Sequence, residues 1–187
     1  MPGHGQPTEE LQWILQAIAG NKESFGRLYD LYFAQIYRYL FYRLADDEEA
    51  MDLTSQVFLN AWHQLPNFGR NKKFQFRAWL FRIAHNLMVD TYRATKATTQ
   101  LEQIVQLPDK EENVLQNIEE HQEAQRLALA IRKLDERSQA VISCRFISNL
   151  SHKETAQVLN LTEGNVRILQ MRALQKLKDE LNEGPNE

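Results

Sequence analysis

The chain has little of what a strand-based or covalently stapled fold would use. Its one cysteine, Cys144, stands in the apolar run AVISCRF, so a disulfide within the chain is excluded and the thiol is expected to be buried and inert. Seven glycines and five prolines leave few turn signals, and no alternating apolar–polar pattern marks a strand. No apolar run approaches the ~20 residues that cross a membrane. The opening MPGHGQPTEE lacks the basic and apolar regions of a signal peptide, so the expected location is the cytoplasm. Histidines at 4, 63, 85, 121 and 152 form no HExxH pair and no Cys/His cluster of zinc spacing. A Gly-rich phosphate loop and a nucleophile motif are missing too. These absences weigh against an enzyme, and no cofactor, metal or small-molecule substrate is expected.

What is present is helical pattern and unevenly placed charge. The net charge of −3 over 187 residues hides blocks of opposite sign. Asp46–Asp52 holds five acids and no base; Arg70–Lys96 holds seven bases against Asp90; Asp109–Glu123 holds six acids against Lys110. Such a pattern suits a basic nucleic-acid face with acidic faces for other partners. Amphipathic periodicity predicts helices from Thr8 to about Ala19, from Lys22 to Leu44, and from Asp46 through Gln64, the last ended by Leu65-Pro66-Asn67. A polar loop to about Lys73 then leads into a helix over Phe74–Arg93. The stretch 95–123, with Pro108, threonines and acids, reads as a flexible linker with a short ordered piece at Leu101–Leu107. Helical pattern resumes near Glu119 and breaks around Asp135–Ser138. The expectation is an all-α chain of two small helical domains, 1–94 and 124–187, joined by the linker.

The most specific segment is LSHKETAQVLNLTEGNVRILQMRAL, residues 150–174, which reads as a helix-turn-helix. Ser151 and Glu154 have the spacing of a capping box, and Ala156 is small where two helices approach. Asn160 stands where the turn needs a left-handed residue, and Thr162 caps the second helix, with Leu161 and Val166 as its staple. That helix carries Asn165, Arg167, Gln170 and Arg172, side chains that reach base edges and phosphates in a major groove. An ordinary helical hairpin would satisfy the same capping signals.

Two further features carry chemistry. In NFGRNKKFQFRAWLFRIAHNLMVDTYR, Asn67, Phe68, Arg70, Lys72, Lys73 and Phe74 precede a helix whose polar side shows Arg82, Asn86 and Arg93. Cations interleaved with rings suit single-stranded nucleic acid, where bases stack on the rings. Spacing alone does not separate this from rings in the core beneath a solvated basic face. The helix DDEEAMDLTSQVFLNAWHQ buries Ala50, Leu53, Val57 and Ala61 and shows Glu49, Asp52, Gln56, Leu59 and His63 outward. That face fits either a basic protein partner or plain solvent.

Taken in order, FGRLYDLYFAQIYRYLFYRLADDEEAMDLTSQVFLNAW, FRAWLFRIAHNLMVDTYR and the helix-turn-helix resemble an extracytoplasmic-function (ECF) sigma factor of the sigma-70 family, over 22–94 (region two) and about 124–181 (region four). The resemblance implies a transcription initiation factor that directs promoter recognition and DNA melting. Glu49, Asp52, Gln56 and Leu59 would bind the clamp of the largest subunit of core RNA polymerase. Asn67, Phe68, Arg70, Lys72, Lys73, Phe74, Arg82, Asn86 and Arg93 would capture the melted non-template strand of the minus-ten element. Thr162, Asn165, Arg167, Gln170 and Arg172 would read the minus-thirty-five duplex. The linker would thread near the polymerase active site and RNA exit path, and the second domain would meet the polymerase flap. An anti-sigma factor is a further implied partner. The chain departs from the family with Ser55-Gln56 after DLT, Asp135 where proline is usual, Asn160 in the turn, and Ile168-Leu169 where many members have Ser and Arg. The last departure bears on base specificity. A stand-alone helix-turn-helix regulator is the alternative, with autonomous operator binding as its mark.

Overall fold

A computed structural model describes residues 7–70, 75–99 and 118–182. Among these, every regular element is helical: α1 (Pro7–Ile18), α2 (Lys22–Leu44), α3 (Asp47–Arg70), α4 (Phe76–Thr99), α5 (Ile118–Arg132), α6 (Glu136–Ile142), a π-helical turn (Ser143–Ile147), α7 (His152–Leu159) and α8 (Glu163–Asn182). The two expected helical units are α1–α4 and α5–α8.

Local chemistry sets most of the boundaries. Gly20, at φ +95°, turns the chain after α1, and Asn21 Oδ1 accepts the Ser24 N–H at 3.0 Å to cap α2. Ala45 ends α2 in the left-handed region, and Asp46 caps α3 by accepting the Glu49 N–H at 2.8 Å. Asp135, the residue in the usual place of a proline, caps α6: its carboxylate accepts from the Ser138 N–H at 3.0 Å and the Ser138 hydroxyl at 2.8 Å.

Two expectations fail at the α3–α4 junction. The third helix continues through Pro66 to Arg70. Proline removes one hydrogen bond and crowds the preceding turn, yet Leu65 is fully buried and Phe68 packs edge-on to Phe76 and against Trp79. Burial of those two side chains outweighs the break. Asn67 and Phe68 therefore ride on a helix, not in a loop. The fourth helix begins at Phe76, not Phe74, and continues past Arg93 to Thr99. Lys72, Lys73, Phe74 and the piece Leu101–Leu107 lie outside the described residues, as does the side chain of Arg70.

The first unit closes around Leu28, Ile36, Tyr39 and Leu40 of α2, Ala50, Val57, Ala61 and Leu65 of α3, and Leu80, Phe81 and Ala84 of α4, all fully buried. A smaller cluster of Ile131, Leu134, Ile142, Ala173 and Leu177 seats α8 on α5 and α6.

The two units are also packed on each other, which no sequence pattern announces. Ala128, Cys144, Leu150 and Val158 of the second unit belong to the core of the first. Carbonyls at the end of α2 are capped from α5: Gln125 Nε2 donates to Ala45 O at 2.9 Å and Arg132 Nη1 to Leu44 O at 3.2 Å. At the seam Arg43, itself buried, donates to Tyr39 Oη at 2.9 Å and to His85 Nδ1 at 3.1 Å. Burial, then Arg43 and Arg82, holds the His85 pKa down at about 4, so the ring is neutral and Nδ1 accepts. Cys144 is buried as expected, and burial pushes its thiol up to about 12.

Candidate nucleic-acid interface

The junction of α3 and α4 forms a cavity of about 240 Å³ lined by Gln64, Asn67, Phe68, Trp79, Arg82, Ile83 and Asn86. The backbone places these together because α3 runs on through Pro66 and puts its last turn beside α4. Phe68 and Trp79 lie with ring centroids 4.6 Å apart at 35°, and Phe76 braces both from below at 5.6 and 5.4 Å. Phe76 is core, whereas Phe68 and Trp79 are half-buried and keep an edge on the cavity. The rings thus divide between the two roles that spacing left open. Three amides (Gln64, Asn67, Asn86) and a guanidinium (Arg82) surround apolar walls, a lining suited to one planar, hydrogen-bonding group of nucleobase size.

Of the expected single-strand residues, Asn67, Phe68, Arg82 and Asn86 are brought together here. Arg93 is exposed and borders a different cavity, of about 350 Å³, with His85, Glu136, Arg137 and the turn Asn160-Leu161 of the second unit. Gln64 and Trp79 also line the cavity, which the sequence does not announce: the helix expected to end at Gln64 runs on, and only its crossing with α4 brings the two together.

Toward the N-terminal end of α3, Asp46, Glu48, Glu49, Asp52 and Gln56 share a depression with Thr91 of α4. Partial burial, with Asp46 beside it, holds the Glu49 carboxyl above its ordinary range against the pull of Arg132. Leu59, about one turn beyond Gln56, is 61% exposed. The surface is acidic with an apolar end, and suits a basic partner.

The helix-turn-helix has the expected caps. Ser151 Oγ accepts the Glu154 N–H at 3.1 Å while Glu154 Oε2 accepts the Ser151 N–H at 2.7 Å, completing the box. Asn160 is left-handed at φ 54°, and Thr162 Oγ1 accepts the Asn165 N–H at 3.2 Å. Asn165, Arg167 and Arg172 are exposed on α8; Arg167 is 3.7 Å from Glu163, one turn back. Gln170 is half-buried, and its Oε1 accepts from Arg145 Nε of the π-turn at 3.0 Å. Among the described residues no group of three or more His, Cys, Asp or Glu could hold a metal ion, and no helix is long and apolar enough to cross a membrane.

The family model for sigma-70 region 2 matches residues 28–98, and that for sigma-70 region 4 matches 130–179. The chain is 32% identical over 159 residues to the RNA polymerase sigma factor CnrH of Cupriavidus metallidurans, covering 79% of this chain and 81% of that protein. It is 28% identical over 183 residues to the ECF RNA polymerase sigma factor SigW of Bacillus subtilis, covering 91% and 95%. It is also 32% identical to the ECF RNA polymerase sigma factor BldN of Streptomyces coelicolor, spanning 64% of that protein's length. Among solved structures, CnrH in complex with the cytosolic domain of CnrY superposes with a TM-score of 0.73 at 28% identity, covering 95% of this chain and 99% of that one.

Proposed function

The chain belongs to the sigma-70 family as an ECF RNA polymerase sigma factor, and from that premise we propose how its surfaces divide the work of starting transcription. The first domain (1–94) docks on core polymerase and opens the minus-ten element; the second (124–187) reads the minus-thirty-five element as duplex; the stretch between them threads the enzyme. The protein performs no reaction of its own and works in the cytoplasm. Its contribution is differential binding energy.

The observation that carries this reading is the α3–α4 cavity with its amides, guanidinium and two ring edges. Extruding a base costs a few kcal/mol, and stacking returns about 1–3 kcal/mol per base. One pocket therefore balances one flipped base, and melting a longer stretch draws on polymerase as well. The acidic face of α3 (Glu49, Asp52, Gln56, Leu59) supplies the docking surface for the polymerase clamp, and the second domain meets the flap. A structural neighbour at 18% identity is a sigma factor in complex with the anti-sigma factor NepR from Bartonella quintana. An anti-sigma partner that covers the same surfaces is part of this proposal.

The packed arrangement of the two domains is a resting one. Elements centred ten and thirty-five base pairs upstream lie about 25 base pairs apart, roughly 85 Å of B-form duplex. A compact body of this length is about 40 Å across. Engaging both elements draws the domains apart, and residues 100–117 extend to at most roughly 60 Å between them.

The test is run-off transcription with bacterial core polymerase, with and without this protein, on upstream fragments of its own genome. New start sites that share paired upstream elements are the expected result. No stimulation, together with no co-purification with core enzyme, would replace this reading with a stand-alone helix-turn-helix regulator.

A further inference from the structure

The outward face of α8 carries two exposed apolar side chains where a duplex-reading helix is expected to be polar. At 3.6 residues per turn, Val166, Ala173 and Leu177 fall on one side of the helix, and all three are buried. The stripe diametrically opposite is Gly164, Ile168, Met171 and Gln175. Ile168 is 48% exposed and Met171 67% exposed. Arg167 borders this stripe on one side, with Arg172 and Asn165 on the other, all exposed. Gln170 is turned inward and its amide oxygen is engaged by Arg145 at 3.0 Å, so its head group lies off the stripe.

Gly164 adds an independent sign. It is helical, and a methyl group built there would meet nothing nearer than Thr162 Oγ1 at 4.0 Å. Nothing inside the chain requires glycine, which weakens a helix relative to alanine. The open space beside Gly164 lets an outside surface approach the helix backbone closely.

We propose that Ile168 and Met171 read the minus-thirty-five duplex through thymine methyl groups in the major groove, with Arg167 and Arg172 holding the phosphates on either side. The inference rests on α8 being the duplex-reading helix. The groove admits one α-helix, and the thymine C5-methyl is the apolar group displayed in its floor. A central apolar strip between two cationic edges matches that cross-section: methyl groups in the middle, phosphate rails outside. Two exposed cations flanking the strip complement the paired phosphate rails of a duplex. Specificity here comes from contact with methyls rather than from the bidentate amide and guanidinium pairings of other recognition helices.

The test uses holoenzyme on a promoter mapped by run-off transcription. Each thymine of its minus-thirty-five element is replaced in turn by deoxyuridine, which deletes one methyl and leaves every hydrogen-bonding group. Wild-type protein is expected to lose about fourfold in promoter binding at one or two positions, the worth of a buried methyl. Ile168→Ala or Met171→Ala should show the same loss on thymine DNA and no further loss on deoxyuridine DNA. All these side chains are exposed, so the variants keep the core. Deoxyuridine without effect on wild type, or with its full effect retained in both variants, overturns the proposal. Loss of core-polymerase binding by Ile168→Ala with DNA binding unchanged would assign the strip to a protein partner and overturn it too. Arg167→Ala separates the two levels. If it weakens binding while deoxyuridine does not, thymine reading alone falls; if neither matters, α8 is not at the DNA.

Discussion

Arg77, on the first turn of α4, lies 3.7 Å from Glu154, the residue that closes the capping box of α7. One carboxylate thus both starts the first helix of the helix-turn-helix and anchors it to the helix that borders the base-sized cavity. The same guanidinium donates to the carbonyl oxygens of Ser148 and Asn149, just after the π-turn, and lies over the ring of Phe81. Arg77 is a clasp between the two domains. Arg77→Ala should loosen that seam at a cost of about 1–3 kcal/mol, the penalty for stranding partly buried polar groups. Small-angle scattering should report a larger radius of gyration for the variant. An unchanged radius with an unchanged melting temperature would mean that the apolar seam holds without the clasp.

The same seam makes stability depend on pH. His85 faces Arg43 and Tyr39 of α2, with Arg82 on its own helix, and Arg93, Glu136, Arg137 and the turn Asn160-Leu161 around the adjoining cavity. Its folded pKa of about 4 lies below the 6.5 of the free side chain. The unfolded chain therefore binds a proton that the folded one refuses. Stability from this group is full above pH 6.5 and falls as pH drops toward 4, by up to roughly 3 kcal/mol. Denaturant midpoints measured from pH 7 to pH 4.5 should fall for wild type and fall less for His85→Gln. Equal slopes would remove His85 as the cause.

Asp135 is the third case. Its carboxylate caps α6 through Ser138 and meets Lys176 Nζ of α8 at 2.6 Å; Lys176, burial notwithstanding, and Ser138 hold its pKa at about 2. The group is largely exposed, so the ion pair contributes little and the cap contributes most. Asp135→Ala should cost about 1 kcal/mol, and Asp135→Asn should recover most of that at pH 7. If the asparagine variant is as unstable as the alanine one, the Lys176 pair matters more than the cap.

Asn86 is exposed and borders the α3–α4 cavity, so truncating it leaves the core intact. Loss of one hydrogen bond to a captured base should reduce open-complex formation by about 5–10-fold, the equivalent of roughly 1–1.5 kcal/mol. Permanganate reactivity of unpaired thymines would follow this directly. On a template already melted at the minus-ten element the defect should shrink. A defect of equal size on both templates would place Asn86 in a later step.

Much of this molecule was legible in the residues, and the parts that were not share a cause. Ser151, Glu154, Asn160 and Thr162 act on neighbours within four positions, so their spacing specifies their geometry. Ala50, Leu53, Val57 and Ala61 are buried as their helical period requires. Pro66 does not end α3 because its local preference is outweighed by burial of Leu65 and by Phe68, whose ring partners Phe76 and Trp79 come from α4. The π-turn at Ser143–Ile147, closed by the Ser148 N–H on Ser143 O at 3.0 Å, has no sequence mark. Cys144, its second residue, packs into the other domain. Of the site, the basic and amide residues were visible in the sequence; Gln64 and Trp79, and the separation of Arg93 from Arg82, depend on how two helices cross. Long-range packing decides each of these, and one-dimensional spacing carries little of it.

The shared core has a consequence for how tightly the protein is measured to bind. Ala128, Cys144, Leu150 and Val158 are dry only while the domains are closed. Any complex that needs them apart starts from a minority conformer, so the observed dissociation constant is the intrinsic one divided by the fraction already open. If polymerase takes the open form, substitutions that weaken the seam should raise affinity for it without touching it. A partner that prefers the closed form will compete with polymerase without occupying a single polymerase contact.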